Sequence, residues 1–150
     1  MKKETKIFIA SDHAGFDVKE KVKEFLDGKK IRYEDLSKKY KEGDDYPDYA
    51  FEAAKRVAKN DDSRGILICG TGTGMIIAAN KVRGIRAVAA YDFYSAQKSR
   101  EDNNANVLGL RGRNFPFAKI KRIISIWLNT EFSKKEKYKR RIMKIKNYES

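Results

Sequence analysis

Short apolar runs alternate along the chain with longer segments whose apolar residues recur at helical spacing. The first run, residues 7–10, precedes a segment at 15–29 in which Val18, Val22 and Leu26 can share one helix face. The same order repeats along the chain, and the runs carry almost no charge. Such strands are typical of a parallel sheet that is buried on both faces. The sequence therefore predicts an α/β fold, a three-layer α/β/α sandwich around a five-stranded parallel, Rossmann-like sheet.

The bounds of the predicted elements follow from these runs and from the residues that interrupt them. Strands are predicted at residues 7–10, 31–36, 65–69, 87–91 and 106–110, and helices at 15–29, 47–59, 74–81, 92–102 and 116–128. A final basic helix is predicted to open at Ser133, because Ser133 and Glu136 have capping-box spacing. Ile142 and Ile145 are three residues apart on it, and we expect this C-terminal helix to pack on a partner subunit.

Length and composition indicate an ordinary globular chain. With 150 residues, 41% of them hydrophobic, and only two prolines, residues 1–150 are predicted to form a single domain. The first residues lead into a strand without a long apolar segment, so we expect a cytoplasmic protein with no membrane association. The one cysteine cannot form an intramolecular disulfide, and no cysteine–histidine cluster is present to hold a metal.

The formal net charge of +13 suggests a nucleic-acid-binding module as one alternative, because clustered lysines and arginines release counterions from phosphates. Eight basic residues and one acidic residue lie between Lys134 and Lys146, whereas charges of both signs are mixed elsewhere. No zinc-finger spacing or aromatic RNA-binding strand motif accompanies this cluster. We therefore expect solvated surface charge and no nucleic-acid partner, and we keep polynucleotide binding by residues 134–146 as the alternative.

Polar and glycine-rich segments follow three of the predicted strands. They are Ser11-Asp12-His13-Ala14-Gly15, Cys69-Gly70-Thr71-Gly72-Thr73-Gly74 and Arg111-Gly112-Arg113. Because the carboxyl ends of parallel strands meet at one edge of a sheet, we expect these segments to line one crevice. Alternate glycines expose successive N–H groups, and a helix N-terminus favours negative charge. The turn after the third strand thus suits an anion beside a potential thiolate, that of Cys69.

A dinucleotide-binding turn is another interpretation of these glycines, since Asp92 ends a strand about twenty residues after Gly72. The spacing disagrees with that interpretation. A G-x-G-x-x-G pattern that begins at Gly70 places Met75 where the third glycine belongs, and the turn follows the third strand rather than the first. The pattern therefore disfavours a nicotinamide cofactor.

Five segments of the chain match one family in order. They are Ser11-Asp12-His13-Ala14-Gly15-Phe16, Asp45-Tyr46-Pro47, the turn at residues 69–74, Ala78-Ala79-Asn80-Lys81 and Gly84-Ile85-Arg86-Ala87. Over residues 6–145 the chain resembles the type B ribose-5-phosphate isomerases. The resemblance implies interconversion of D-ribose 5-phosphate and D-ribulose 5-phosphate through a cis-enediolate, without a metal or other cofactor. It also implies a homodimer or homotetramer with each active site at an interface. Within the superfamily, isomerisation of a six-carbon aldose phosphate (allose 6-phosphate or galactose 6-phosphate) is the alternative.

The resemblance assigns the role of base to Cys69, which would move a proton between neighbouring carbons. Thr71 matches a residue that hydrogen-bonds near the thiol. The N–H groups of the turn would face the developing oxyanion, which places three glycines in the substrate site: Gly70, Gly72 and Gly74. One branch of the family instead uses a glutamate one residue beyond the turn, where this chain has Met75. Methionine cannot act as a base, which favours Cys69.

The resemblance also implies a cationic clamp for the substrate phosphate. His13 and Arg113 match contacts from one subunit, whereas Lys137 and Arg141 match positions at which the neighbouring subunit's final helix usually has two arginines. Lysine at 137 keeps the charge but loses the bidentate fork. From spacing alone, the two helix cations would be solvated surface residues.

Among the residues predicted to contact the sugar, one differs clearly from the residue that many members of the family carry. Asp12 and Tyr46 match positions that contact sugar hydroxyls, and Asn103 matches an amide that binds the enediolate oxygens. Asp102 stands where many members of the family carry a histidine that is thought to open the furanose ring. A carboxylate could pass the same proton, or it could mark a preference for a substrate that enters already open.

Overall fold

Strands and helices alternate along the chain up to its last two helices in the computed structural model, which describes residues 1–2 and 4–149. The elements are β1 (Lys6–Ser11), α1 (Phe16–Gly28), β2 (Tyr33–Asp35), α2 (Tyr46–Ala58), β3 (Ser63–Cys69), α3 (Gly74–Ala79), β4 (Ala87–Ala89), α4 (Phe93–Glu101), β5 (Val107–Arg111), α5 (Phe117–Asn129) and α6 (Glu136–Tyr148). A 3-10 turn, His13–Gly15, joins β1 to α1. Among the helices of the described residues, none combines the length and the apolar character that a membrane crossing requires. The cytoplasmic location and the single domain stay predictions.

The five strands form a parallel sheet in the order β2-β1-β3-β5-β4. The register pairs Ile9 with Ile66, and Ile66 with Leu108, across its centre. This confirms the predicted parallel sheet. The second strand begins two residues later than predicted, because Lys30 has a φ of 57° and the N–H of Ile31 still donates to the carbonyl of Leu26 in α1.

Successive residues of the strands pack into two apolar clusters on opposite faces of the sheet. Ile7 and Ile9 of β1 pack with α1, α4 and α5, whereas Phe8 and Ala10 pack with α2 and α3. The predicted three-layer sandwich is therefore confirmed. Since α1 follows β1 onto one face and α3 follows the adjacent β3 onto the other, the connections diverge between these two strands. Such a divergence opens a crevice at the carboxyl ends of the strands.

A buried lysine ties α1 to the segment that follows β2. Lys19 has no exposed surface, and its Nζ donates to the two carboxylate oxygens of Asp35 at 3.1 and 2.9 Å. Burial raises the pKa of Asp35, but hydrogen bonds from Lys23 and Lys19 hold it below its usual range. The backbone N–H of Ser37 also donates to Asp35, and the Ser37 hydroxyl accepts from the N–H of Ser11 at 2.9 Å. The network therefore reaches the end of β1, directly before the predicted site.

Two buried arginines donate hydrogen bonds to backbone carbonyls at the C-terminal end of α5. Arg64 Nη1 donates to the carbonyl of Leu128 at 2.9 Å, and Arg100 Nε donates to the carbonyl of Thr130 at 3.2 Å. Their guanidinium carbons lie 5.5 and 5.8 Å from the ring centroid of Trp127, which is fully buried. Burial and then the charge of Arg64 lower the pKa of Arg100 to about 10, so it is still cationic at neutral pH. Positive charge is the sign that a helix C-terminus favours.

The final helix begins later than the sequence predicts. Its N-cap residue is Lys135, and no side chain caps it, so the predicted capping box is wrong. The N–H of Ser133 donates to the carbonyl of Glu101 at 3.0 Å, and Lys134 has a φ of 58°. These contacts keep Ser133 outside the helix. Along its described residues α6 buries no side chain, and its packing on a partner subunit stays a prediction.

Candidate active site

A cavity of about 180 Å³ opens at the carboxyl ends of β1 and β3. It is lined by Asp12, His13, Ala14, Tyr46, Cys69, Gly70, Thr71, Gly74 and Arg113. Four separate segments of the sequence thus meet here, and three of them follow strands, as the parallel sheet predicts. The predicted site residues line this cavity, except Gly72, which lies beside it, and four others that are described below.

A larger cavity of about 890 Å³ lies at the opposite edge of the sheet, between the start of β3 and α6. Its buried cations are Arg64 and Arg100, and both donate to backbone carbonyls at the end of α5. Arg86 on the same cavity donates to the carbonyls of Asn103 and Asn104. These guanidinium groups have structural partners, so we place the chemistry in the smaller cavity, where the thiol lies.

Cys69 is the last residue of β3 and is 4% exposed. The backbone N–H of Gly72 donates to its Sγ at 3.2 Å. Gly72 has a φ of +82°, which side chains other than that of glycine rarely tolerate. The turn therefore folds back onto its own sulfur because Gly72 permits it. A donor aimed at the sulfur stabilises negative charge there, as a thiolate base requires.

The Thr71 hydroxyl is engaged inside the turn rather than with the thiol. Its Oγ1 lies 2.8 Å from Oγ1 of Thr73 and accepts from the N–H of Thr73 at 3.2 Å. The Tyr91 hydroxyl donates to the Thr71 carbonyl at 2.7 Å, and the Tyr91 ring lies edge-on to Phe115. Sequence reasoning missed Tyr91, although a tyrosine directly before the Asp92 cap of α4 stands at the same edge of the sheet. Tyr91 therefore fixes the turn after β3 to the segment that follows β4, two strands away in the sheet.

Close contacts between backbones place Arg113 beside the turn. A Cβ added at Gly15 would lie 2.2 Å from a backbone oxygen of β3, and one added at Gly112 would lie 2.9 Å from the Cα of Gly15. The N–H of Gly112 donates to the carbonyl of Cys69 at 2.8 Å, and that of Arg113 to the carbonyl of Gly70 at 3.2 Å. Glycine is therefore required at both contacts, and the guanidinium is carried to the mouth of the cavity.

The ring of Tyr46 covers the start of α3. Tyr46 is the first residue of α2, and Pro47 follows in the first turn, as predicted. A Cβ added at Gly74 would lie 2.8 Å from Cζ of Tyr46. Only glycine allows the ring to come this close to the N-terminus of α3.

Asp44 lies behind His13, one of the residues that line the cavity, and sequence reasoning did not assign it a role. Its Oδ1 accepts from the backbone N–H of His13 and pairs with Nδ1 of the same residue, both at 2.9 Å. This hydrogen bond raises the pKa of His13. Burial raises the pKa of Asp44, but the bonds from His13 hold it below its usual range. An acidic residue next to the matched Asp45-Tyr46-Pro47 segment was the available signal.

Asp12 also belongs to the polar cluster around His13. Its Oδ1 accepts from the N–H of Gly15 at 3.0 Å and so caps the 3-10 turn, and burial raises its pKa. Asp12, His13 and Asp44 bring one potential ligand atom each within 4.8 Å of one another. Since Asp44 already accepts two donors of His13 and Asp12 caps the turn, we interpret the cluster as a hydrogen-bonded network. Isomerisation without a metal stays a prediction.

Besides Gly72, four predicted site residues do not line the cavity. Asp102 is the C-cap of α4, and the exposed Asn103 follows it. Lys137 and Arg141 are exposed on α6, with their charged groups 4.9 and 5.7 Å from the ring centroid of Tyr138. For Lys137 and Arg141 the resemblance implies a role across a subunit interface. Within one chain the structure does not bring any of the four to the cavity that holds Cys69.

The family model described as Ribose/Galactose Isomerase matches residues 7–145. The chain belongs to this family. The crystal structure of ribose-5-phosphate isomerase B from Mycoplasma genitalium with bound ribulose 5-phosphate is 42% identical and superimposes with a TM-score of 0.91, covering 96% of this chain and 95% of that one. Ribose-5-phosphate isomerase B of Mycolicibacterium paratuberculosis is 37% identical over 96% of this chain and 91% of its own length.

A third relative carries a different substrate in its name. The D-erythrulose-4-phosphate isomerase of Pectobacterium atrosepticum is 42% identical over 84% of this chain and 84% of its own length. The family and these relatives make the chain a sugar-phosphate isomerase of the ribose-5-phosphate isomerase B type, an aldose–ketose isomerase. The resemblance inferred from the sequence is confirmed.

Proposed function

We propose that this chain interconverts D-ribose 5-phosphate and D-ribulose 5-phosphate, with Cys69 as the base. The observation that carries the proposal is the buried thiol at the end of β3, which receives an N–H donor and opens on the same cavity as His13 and Arg113. A base and a cationic clamp on one cavity are what the isomerisation of a phosphorylated sugar needs. Relatives named ribose-5-phosphate isomerase B support the choice of pentose.

In this mechanism the Cys69 thiolate takes the proton from C2 of the aldose, and the electron pair forms the enediolate double bond as the carbonyl oxygen at C1 becomes an oxyanion. The thiol then returns the proton to C1, the carbonyl forms at C2, and the hydroxyl proton of C2 passes to the oxygen at C1. The N–H groups of residues 70–74 stabilise the oxyanion. His13 and Arg113 hold the phosphate, so that the reacting carbons stay beside Sγ.

The second half of the site would come from a neighbouring copy of the chain. Within one chain, four predicted site residues lie away from the Cys69 cavity: Asp102, Asn103, Lys137 and Arg141. This supports a homodimer or homotetramer in which they reach the cavity of the next subunit. Lys137 and Arg141 lie one helical turn apart on α6, so both can face one phosphate.

A tetrose phosphate is the second candidate substrate. The relative from Pectobacterium atrosepticum is named for D-erythrulose 4-phosphate. The corresponding aldotetrose carries its phosphate on O4, so it lacks the hydroxyl that would close a five-membered ring and needs no ring opening. Asp102, which replaces the family's ring-opening histidine, is compatible with such a substrate.

The test is the rate of isomerisation by the purified protein in chelator, with ribose 5-phosphate, D-erythrulose 4-phosphate and allose 6-phosphate run side by side. We expect turnover of the pentose without metal, at a kcat in the ordinary range of about 1–1000 per second. Turnover of the tetrose alone would replace the substrate and keep the mechanism. A chelator that abolishes turnover, reversed by a divalent cation, would overturn the metal-free mechanism.

Replacement of the base gives the first prediction for a variant. We expect Cys69→Ala to lower kcat by about 100- to 10,000-fold, the usual contribution of a positioned base, while the circular dichroism spectrum stays unchanged. Undiminished turnover would overturn the mechanism. Neutralising Lys139, Arg140 and Lys144 together serves as the comparison, because it lowers the charge of α6 without touching the cavity. If that triple variant instead abolished a strongly salt-dependent RNA or DNA affinity, the nucleic-acid alternative would gain support.

A further inference from the structure

We propose that Asp44 is a positioning residue for the substrate phosphate, because it fixes the His13 ring with Nδ1 turned away from the cavity and Nε2 turned toward it. The inference rests on the proposed function, in which His13 contacts the phosphate. It adds a residue that does not itself touch substrate and that acts through the histidine.

The contacts between Asp44 and His13 leave the ring little freedom. One carboxylate oxygen, Oδ1, receives both the backbone N–H and Nδ1 of His13 at 2.9 Å. Because both bonds go to the same residue, they fix the backbone and the ring together. The Asp44 side chain is 6% exposed and that of His13 is 28% exposed, so the carboxylate lies behind the ring and the ring lies at the cavity. No hydrogen-bond partner of Nε2 is found within residues 1–2 and 4–149.

This arrangement determines which form of His13 can bind a phosphate. A carboxylate accepts hydrogen bonds only, so Nδ1 must carry a proton in either charge state of the ring. In the neutral ring Nε2 is then a bare acceptor, which repels a phosphate oxygen. In the imidazolium Nε2 becomes a donor with a positive charge behind it. Asp44 therefore makes phosphate binding by His13 depend on the imidazolium form.

The surrounding charges favour that form. Asp12, Glu42 and Asp44 all act on His13 with negative charge, and Arg113 is the cation that shares the cavity with it. Tyr49 of α2 lies close to Asp44, and burial and then the hydrogen bond to this carboxylate raise the pKa of the phenol, so Tyr49 stays a neutral donor. The hydrogen bond to Asp44 is the largest cause of the raised pKa of His13, so the loss of this carboxylate would affect His13 most.

His13 is the only histidine of the chain, so its titration can be followed without assignment in a tag-free protein. The experiment records the ring signals by NMR against pH in the wild type, Asp44→Asn and the matched control Asp48→Asn, with and without inorganic phosphate. Asp48 is an exposed carboxylate in the first turn of α2. We expect a lower pKa of His13 in Asp44→Asn alone, and a weaker response of its ring to phosphate. An unchanged titration and an unchanged response to phosphate would overturn the proposal.

Kinetics separates positioning from a merely structural role. At pH 7.5 we expect Asp44→Asn to raise KM by about three- to tenfold with kcat within about twofold of wild type, and the rise of KM with pH to begin at a lower pH. A fall of kcat with an unchanged KM would contradict the assignment. If Asp44→Asn did not fold, Asp44→Ser, which keeps an acceptor for the His13 N–H, would carry the same test.

Failure of the proposed function would be visible separately. A wild type that turns over no sugar phosphate would refute that function, whereas the NMR titration with inorganic phosphate would still decide the role of Asp44. A wild type that turns over ribose 5-phosphate, beside an Asp44→Asn variant with unaltered KM and titration, would refute the positioning role alone.

Discussion

The contact between Tyr46 and Gly74 shows how one missing side chain shapes the cavity. A methyl group at residue 74 would approach the Tyr46 ring to 2.8 Å, closer than packed atoms tolerate. The ring is 39% exposed and can swing outward, so the fold should adapt while the cavity loses one wall. We expect Gly74→Ala to reduce kcat/KM by about 10- to 100-fold, measured with ribose 5-phosphate, and to change the free energy of unfolding by less than about 1 kcal/mol.

Gly28 provides the matched control for this substitution. It is the last residue of α1, and a Cβ there would meet nothing within 4 Å. Gly28→Ala should leave kcat/KM unchanged. Equal activities of the two alanine variants would contradict a role of the Tyr46–Gly74 contact in the site.

Among the elements, α1 depends on one buried charge. Lys19→Met should lower the free energy of unfolding by about 3–5 kcal/mol. The reason is that the buried carboxylate of Asp35 loses one of the two lysines that donate hydrogen bonds to it. The measurement is urea unfolding followed by circular dichroism, with Lys21→Met, an exposed lysine on the same helix, as the comparison. A loss no larger than that of Lys21→Met would refute the prediction.

The pH dependence of this pair follows from the sign of the shift at Asp35. Its pKa is lower in the folded chain than the usual 3.8, so the stabilisation is present above that value and is lost as the pH falls through the folded pKa. The difference in the free energy of unfolding between wild type and Lys19→Met should therefore become smaller as the pH falls. A difference that stays constant down to the acid transition would contradict this account of the pair.

The sequence was informative about elements and less so about their ends. Apolar strands and helical spacing predicted every strand and helix of the sandwich, because burial on both faces of a sheet leaves a clear pattern. The ends at Lys30 and Ser133 depend on single backbone conformations and on a bond to a residue distant in sequence, Glu101. No local pattern encodes such a bond. Lys19 likewise has the sequence position of a surface lysine, and only the fold shows that it is buried.

For the molecule as a whole, the proposed division of the site between copies of the chain is open to a direct test. Cys69→Ala and Arg141→Ala should each be nearly inactive. If the two variants are mixed in equal amounts and reassociated as dimers, about half of the dimers contain one subunit of each kind. In such a hybrid one of the two sites has both Cys69 and Arg141 intact, so the mixture should recover about a quarter of the wild-type activity. No recovery in a sample shown to contain hybrids would place Arg141 and Cys69 in the same chain's site or remove Arg141 from the mechanism.

The candidate site was predictable to the extent that its residues stand at the carboxyl ends of strands. Cys69, His13 and Arg113 met there as expected, since parallel topology alone brings those ends together. Asp44 and Tyr91 were missed because each acts on another site residue through a contact across the fold. Residues that position another site residue in this way have no fixed spacing from it in the sequence.

The two arginines at the end of α5 also lie beside the side chain whose fluorescence can be used to follow folding in this protein. Trp127 is the only tryptophan of the chain, and it lies fully buried beside two guanidinium groups, in the apolar cluster on the opposite face of the sheet from Cys69. Its fluorescence therefore reports the integrity of that layer and is insulated from substitutions in the cavity. A shift of its emission to longer wavelength marks unfolding, so activity and foldedness of every site variant can be read from the same cuvette.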